Sequence, residues 1–247
     1  GRCRIYAPVG AHRELLAYLV RRLLENGANS SFVHQIVDES VRPETIAEDP
    51  FAAVATAKAP RGLVPPKDLF GKSRTNAKGF DLSDEDTLAE IDSARNVDLP
   101  NAEPLTVSKS NGATLPVTNP ATGDVVAQVT EADAETVAQA IADAQPWNRP
   151  VIERADVLRR AADLFETNSG LIFAAIAREA GKSIPDAVGE LREAVDFLRY
   201  YADQALHADP NPLGLITAIS PWNFPLAIFT GQVAAALATG NADRKST

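Results

Sequence analysis

At 247 residues the chain has room for one large or two small domains, and 45% hydrophobic with 23% charged residues is an ordinary globular balance with enough apolar content for a sizeable core. The net charge of −9 argues against non-specific binding to nucleic acid or to an anionic membrane. No apolar run reaches the ~18 residues of a membrane span, and no signal peptide opens the chain. Cys3 is the single cysteine, which rules out an internal disulfide and fits a reducing compartment, so the cytoplasm is the expected location. The chain has no methionine and opens at Gly1 directly into a strand-like run, which reads as a piece of a longer product.

Residues 2 to 9 read as a strand ending at Ala7-Pro8-Val9-Gly10, followed by a helix from about Ala11 to Glu25 that Asn26-Gly27 stops. Leu15, Leu16, Leu19, Val20, Leu23 and Leu24 recur at helical spacing as its apolar stripe. Tyr18, Arg21, Arg22 and Glu25 share a flanking face. Two adjacent arginines beside a buried stripe can clamp a carboxylate through paired hydrogen bonds. The same residues also fit a solvated face with a weak Arg21–Glu25 pair.

Arg4-Ile5-Tyr6-Ala7-Pro8-Val9-Gly10, then Leu19-Val20-Arg21-Arg22-Leu23-Leu24-Glu25-Asn26-Gly27-Ala28-Asn29, resembles the end of the proline dehydrogenase barrel in the proline utilization A family. That family joins an FAD-dependent proline dehydrogenase to an NAD-dependent glutamate semialdehyde dehydrogenase. The resemblance implies that Arg2 to Ala7 is the last strand of a distorted (β/α)8 barrel and Ala11 to Glu25 its last helix. It also implies that Arg21 and Arg22 hold the proline carboxylate, that Tyr6 lines the proline ring, and that Glu25 and Phe32 lie near the flavin. A barrel's site lies at the carboxyl end of its strands, where Tyr6 would be.

From Ile36 to about Asn101 the signal weakens, because Pro43, Pro50, Pro60, Pro65 and Pro66 with Gly62 and Gly71 interrupt each candidate element. One short helix is expected around Phe51, Val54 and Ala57, and a second, amphipathic one over Ser83 to Arg95, which carries Leu88 and Ile91 among acids. The whole stretch suits an interdomain connector.

Leu115 to Asn119 and Val125 to Val129 flank Pro120-Ala121-Thr122-Gly123, a β-hairpin whose turn needs glycine at its end. Thr130, with Asp133 three residues on, is expected to start an Ala-rich helix from about Glu131 to Ala144. A helix near Val151 to Thr167 should bury Ala155, Leu158, Ala161, Leu164 and Phe165, and another runs from about Leu171 to Ala180. Ile184 to His207 carries Ile184, Val188, Leu191, Val195, Leu198, Ala202 and Ala205 at alternating spacings of four and three. Such heptads suit a coiled coil, but two alanines among them and neighbouring helices on both sides favour a core helix.

Leu213-Gly214-Leu215-Ile216-Thr217-Ala218-Ile219 reads as a buried strand, and the prolines of Ser220-Pro221-Trp222-Asn223-Phe224-Pro225 end it. An apolar helix follows from Leu226 to Leu237, closed by Gly240-Asn241. Strand, turn and helix make the first half of a βαβ unit, and ligands bind such sheets at the carboxyl ends of the strands. Asn223 at that edge could donate its amide to a developing oxyanion, or merely cap the helix.

Asn119-Pro120-Ala121-Thr122-Gly123, and Pro221-Trp222-Asn223-Phe224-Pro225 with Gly240-Asn241, resemble the aldehyde dehydrogenase superfamily. The resemblance implies that Asn223 is an oxyanion donor and that the backbone of Ile219, Ser220, Pro221 and Trp222 lines the NAD channel. Aldehyde oxidation in that superfamily needs a thiolate nucleophile and a base to activate water. Cys3 lies on the other region and reads as a small buried strand residue, so nucleophile and base are expected beyond position 247. Ala242-Asp243-Arg244-Lys245-Ser246-Thr247 is polar where the family continues with an apolar strand bearing a ribose-binding lysine. His12, His34 and His207 are too scattered for metal ligands.

The expected fold is therefore α/β: the last strand and helix of a barrel over 1–38, a linker over 39–101, and over 102–247 the helical and first βα portion of an aldehyde dehydrogenase-like NAD-binding domain of Rossmann type. The expected parent oxidises proline to pyrroline-5-carboxylate with FAD, and glutamate γ-semialdehyde to glutamate with NAD. The resemblance further implies a homo-oligomer with a peripheral membrane or quinone link in the parent, while the net charge and the absence of a basic motif argue against nucleic acid through this segment. Alternatively, the piece is a catalytically inactive truncated, linker or docking module. A sheet lacking its remaining strands would expose unpaired edges, so poor solubility is expected of the piece alone.

Overall fold

The structure, a computed structural model, describes residues 11, 15–16, 20, 32–49, 51–52, 55, 64–106, 109–208 and 211–243. The chain divides into two compact units, Gly1–Leu63 and Val64–Thr247. In the first, the expected strand of residues 2 to 9 and most of the helix of residues 11 to 25 lie outside the described residues. Leu15, Leu16 and Val20 are helical, and of the expected stripe Leu16 and Val20 are exposed. Helices α1 (Phe32–Val37) and α2 (Pro43–Ile46) follow. Between them Asp38 Oδ1 accepts from the backbone N–H and the hydroxyl of Ser40 at 2.9 and 2.6 Å, and Pro43 opens α2, where its missing N–H costs nothing. Of the helix expected around Phe51, the described residues Phe51, Ala52 and Ala55 are helical, and Phe51 is exposed.

The second unit begins at Val64, so it takes in much of the stretch that reads as connector. Ala77, Ile91 and Leu99 are buried in it. Asp84 caps α3 (Glu85–Ala94) by accepting from Thr87, and Ile91 is that helix's buried residue. Phe80 packs edge-on against Phe173, with ring centroids 5.3 Å apart. Arg199 ties the stretch down further by reaching the Asn76 carbonyl, Asp163 and Glu166.

The hairpin forms as expected. Strands β1 (Thr114–Thr118) and β2 (Val125–Thr130) pair antiparallel from Thr114↔Thr130 to Thr118↔Val125, with an irregularity between Val117 and Thr118. Gly123 takes φ +79°, the left-handed conformation the turn requires, while Asn119 Oδ1 accepts from the N–H of Ala121. Helix α4 (Ala134–Ala142) starts later than expected. Its cap is Asp133, which accepts from Thr136 at 2.7 Å, because Thr130 is still held in the β ladder. A short pair follows the hairpin region, β3 (Gln145–Pro146) against β4 (Ala242–Asp243).

Helices α5 (Val151–Thr167), α6 (Ser169–Glu179) and α7 (Ile184–His207) make the core with α8 (Ala227–Ala238). In α5, Ala155, Leu158 and Ala162 are buried, and Ala161 and Phe165 pack against them. Leu164, expected inward, is exposed, since it falls about two and a half turns past Ala155, on the opposite face. In α7 the whole expected stripe lies in the core, with Leu191 and Val195 among the largest fully buried side chains. Ser183 caps α7 through the N–H of Asp186. This is a core helix surrounded by others rather than one strand of a coiled coil.

Residues 213–219 do not form the expected strand. Among the described residues they carry a single bridge residue, Leu215, and belong to neither sheet. A strand needs neighbours on its hydrogen-bonding edges, and here side chains take that place. The helix after it is confirmed as α8 and ends in a Schellman motif: the N–H of Gly240, at φ +78°, reaches Leu237 O at 3.0 Å, and that of Asn241 reaches Ala236 O at 3.1 Å. No helix among the described residues is long and apolar enough to cross a membrane.

Candidate active-site turn

The segment from Leu213 to Ala227 is fastened at three points by side chains from helices. At its start, buried Asn241 turns Oδ1 to the N–H groups of Leu213 and Gly214, at 2.6 and 3.1 Å. The other end of the same amide donates to Ala236 O and Thr239 Oγ1, so each polar atom of a buried side chain is used. In the middle, Gln232 of α8 accepts from the N–H of Ile219 at 2.9 Å and donates to its C=O at 3.2 Å. A carboxamide has the donor and acceptor of a peptide unit, and Gln232 thus does for Ile219 what a neighbouring strand would do.

At its far end the turn meets a buried ion pair. Glu190 on α7 is 3% exposed and Lys182, in the loop before α7, is 15% exposed. Lys182 Nζ donates to Glu190 Oε1 at 2.5 Å and to the carbonyl of Asn223 at 2.9 Å, and stands 4.4 Å above the centre of the Phe224 ring. Glu190 Oε2 accepts from the N–H of Leu226 at 2.9 Å and of Ala227 at 3.2 Å. Leu226, the N-cap of α8, has no side-chain oxygen to offer those orphan donors, so a carboxylate from another helix caps α8. Negative charge at a helix N-terminus is also favoured by the helix dipole.

The turn therefore displays Ile219, Ser220, Trp222 and Asn223 on its outer side, Ile219 75% and Trp222 88% exposed, while its backbone is held from within. The side-chain amide of Asn223 takes no hydrogen bond from the described residues, so its N–H₂ is free to donate to an incoming oxygen. Of the expected site residues, Ile219, Ser220, Pro221, Trp222 and Asn223 are brought together here. Tyr6, Arg21, Arg22 and Glu25 lie outside the described residues, and Phe32 is described only as the first residue of α1. Among the described residues no group of histidine, cysteine and acidic side chains could hold a metal ion.

Sequence reasoning missed Lys182, Glu190, Gln232 and Asn241 as site-forming residues. One signal was available. Glu190 falls at i+3 from Ala187 and i−4 from Ala194, both fully buried, which puts a carboxylate on the core face of α7. Acids in such positions are rare unless paired.

The profile of the aldehyde dehydrogenase family matches residues 107–242, and that of proline dehydrogenase matches residues 1–35. The chain is 48% identical to "Bifunctional protein PutA" of Escherichia coli K12 over 261 aligned positions, covering 97% of this chain and 20% of that protein. It superposes with a TM-score of 0.62 on a crystal structure of Bradyrhizobium japonicum proline utilization A, at 38% identity over 96% of this chain and 24% of that one. A 1-pyrroline-5-carboxylate dehydrogenase from Thermus, solved with bound NAD, superposes at 0.59 and 25% identity over 67% of this chain and 38% of that one. The chain thus spans about a fifth of the length of the curated relatives it matches, and both resemblances drawn from the sequence are met, in the order expected.

Proposed function

The chain belongs to the aldehyde dehydrogenase family, and from that premise we propose that it is part of a bifunctional proline catabolic enzyme. That enzyme oxidises proline to pyrroline-5-carboxylate with FAD and glutamate γ-semialdehyde to glutamate with NAD. The observation that carries this reading is one continuous likeness that runs through both the proline dehydrogenase and the aldehyde dehydrogenase parts. A stand-alone aldehyde dehydrogenase would share only the second.

In this reading the amide of Asn223 donates to the aldehyde oxygen as negative charge develops there, and its freedom from other partners supports the role. The backbone of Ile219, Ser220, Pro221 and Trp222 lines the dinucleotide. The turn suits such a guest: Ile219 has its N–H and C=O engaged by Gln232, Pro221 has no N–H, and exposed apolar side chains remain as a surface to lie against. NAD, when bound, supplies the hydride acceptor. Arg21 and Arg22 clamp the proline carboxylate, Tyr6 lines its ring, and Glu25 and Phe32 lie near the flavin. The domain borders at 38 and 101, the barrel origin of residues 1–38, a cytoplasmic location, self-association and a peripheral membrane or quinone link belong to the same reading.

Two assays test it. The full-length gene product should reduce NAD with glutamate γ-semialdehyde and should oxidise proline with an artificial electron acceptor. The 247 residues alone should do neither: their single thiol, Cys3, lies outside residues 107–242, and the likeness to proline dehydrogenase covers only residues 1–35. A full-length product without both oxidations would reject the reading. NAD reduction by the 247 residues alone would reject the assignment of the nucleophile to a downstream cysteine.

A further inference from the structure

A catalytic amide has to sit within about half an ångström of its productive position, held by groups that are themselves locked. Asn223 does not lock itself, since its side chain has no partner among the described residues, so the position of its amide depends on its backbone. That backbone is gripped from one direction. Lys182 holds the Asn223 carbonyl and covers the Phe224 ring, and Glu190 holds the N–H groups of Leu226 and Ala227, three and four residues on. The two grips are joined by the ion pair itself.

Burying two charges is expensive, and replacing such a pair by apolar residues often stabilises a protein. A buried pair whose remaining bonds go to the Asn223 carbonyl and to the first N–H groups of α8 just behind the turn is a costly way to hold a fold together and an effective way to fix the geometry between them. We propose that Lys182 and Glu190 are positioning residues that set the Asn223 amide for aldehyde oxidation, acting through the backbone of the turn. The inference rests on the reading of Asn223 as an oxyanion donor. Neither residue reaches the substrate: Glu190 is sealed in the core, and Lys182 has its ammonium shared between a carboxylate, a carbonyl and a ring face.

A double-mutant cycle in the full-length gene product tests it, with kcat and KM measured for semialdehyde and NAD in wild type, Asn223→Ala, Lys182→Met and the double variant. A displaced amide lowers kcat, so Lys182→Met is expected to cost about 10- to 100-fold in kcat with KM for NAD within about twofold. In the Asn223→Ala background the same substitution is expected to cost less than about twofold, since groups acting as a unit are not additive. Lys182→Arg, which keeps charge and reach, should recover most of the loss. Equal loss in both backgrounds would overturn the proposal and make the pair ordinary scaffold, as would an unchanged kcat in Lys182→Met. Should Lys182→Met not fold, Glu190→Gln, which keeps an acceptor for Leu226 and Ala227 but drops the charge, enters the cycle with the same two outcomes. If Asn223→Ala alone leaves kcat intact, the oxyanion reading fails first and the positioning role fails with it; the single variant separates the two cases.

Discussion

Helix α7 and the segment 213–227 lie in the same compact unit and are held by opposite means. Helix α7 closes its backbone bonds within itself and buries one continuous face, from Ala187 to Ala205, between α5, α6 and α8. The segment takes its bonds from side chains on α7, α8 and the loops beside them, and leaves Leu213, Ile219 and Trp222 in the open. The backbone bonds of the helix are internal, and its neighbours supply apolar packing rather than hydrogen bonds. Order in the segment is lent to it, so four side chains, Lys182, Glu190, Gln232 and Asn241, decide the shape of the turn that carries Asn223.

The largest stability effect should come from the helix. Leu191→Ala empties a fully buried site on α7 and is expected to cost about 2–5 kcal/mol, read as a lower urea midpoint of the 247-residue chain. A loss below about 1 kcal/mol would mean the core does not centre on α7. Next comes the close approach of α6 to α3. A methyl group at Gly170 would meet the Ala94 carbonyl oxygen at 2.3 Å, and with backbone as the obstacle Gly170→Ala should cost about 1–3 kcal/mol in the same assay.

Asn241→Ala sharpens the contrast. It leaves the N–H groups of Leu213 and Gly214 without their acceptor, a cost of about 1–3 kcal/mol. Hydrogen exchange should speed up at those two amides while the middle of α7 keeps its protection. Equal acceleration in both regions would mean the segment's order is not lent by Asn241.

The smallest effect concerns Asp133, whose carboxyl is held below the usual carboxylate range by the backbone N–H of Thr136, then by the Thr136 hydroxyl and the Asn111 N–H. A depressed folded value means the ionised form stabilises the fold. That contribution is complete above the ordinary carboxylate pKa of about 4 and is lost as pH falls below it. Asp133→Ala should therefore loosen the first turn of α4 near neutral pH and leave less acid sensitivity in its exchange rates.

The helices were legible because their information is local. Ala155, Leu158 and Ala161 repeat at helical spacing, Pro150 and Thr167 bound α5, and Ile184 to His207 matches α7 end to end, although the buried residue of the next turn of α5 is Ala162. Leu164 misled because an apolar residue next in sequence to Phe165 looks like part of the stripe until the phase is followed around the axis to the opposite face. The strand at 213–219 misled for a deeper reason. Its apolar residues announce burial, but a strand exists only with partners, and among the described residues the sheets are two separate pairs. Asn223 was visible from its turn. What holds it was not, since Glu190 lies 33 positions away, on a helix whose stripe reads as scaffold, and no local pattern links the two.

The central claim is that the turn at 220–226 presents Asn223 as an oxyanion donor in an NAD-dependent aldehyde oxidation. Steady-state oxidation of glutamate γ-semialdehyde by full-length Asn223→Ala tests it most directly. Loss of one such donor should lower kcat by about 10²–10³-fold, with the melting temperature unchanged because the Asn223 side chain supports nothing else. A kcat equal to that of the unaltered enzyme would contradict the account.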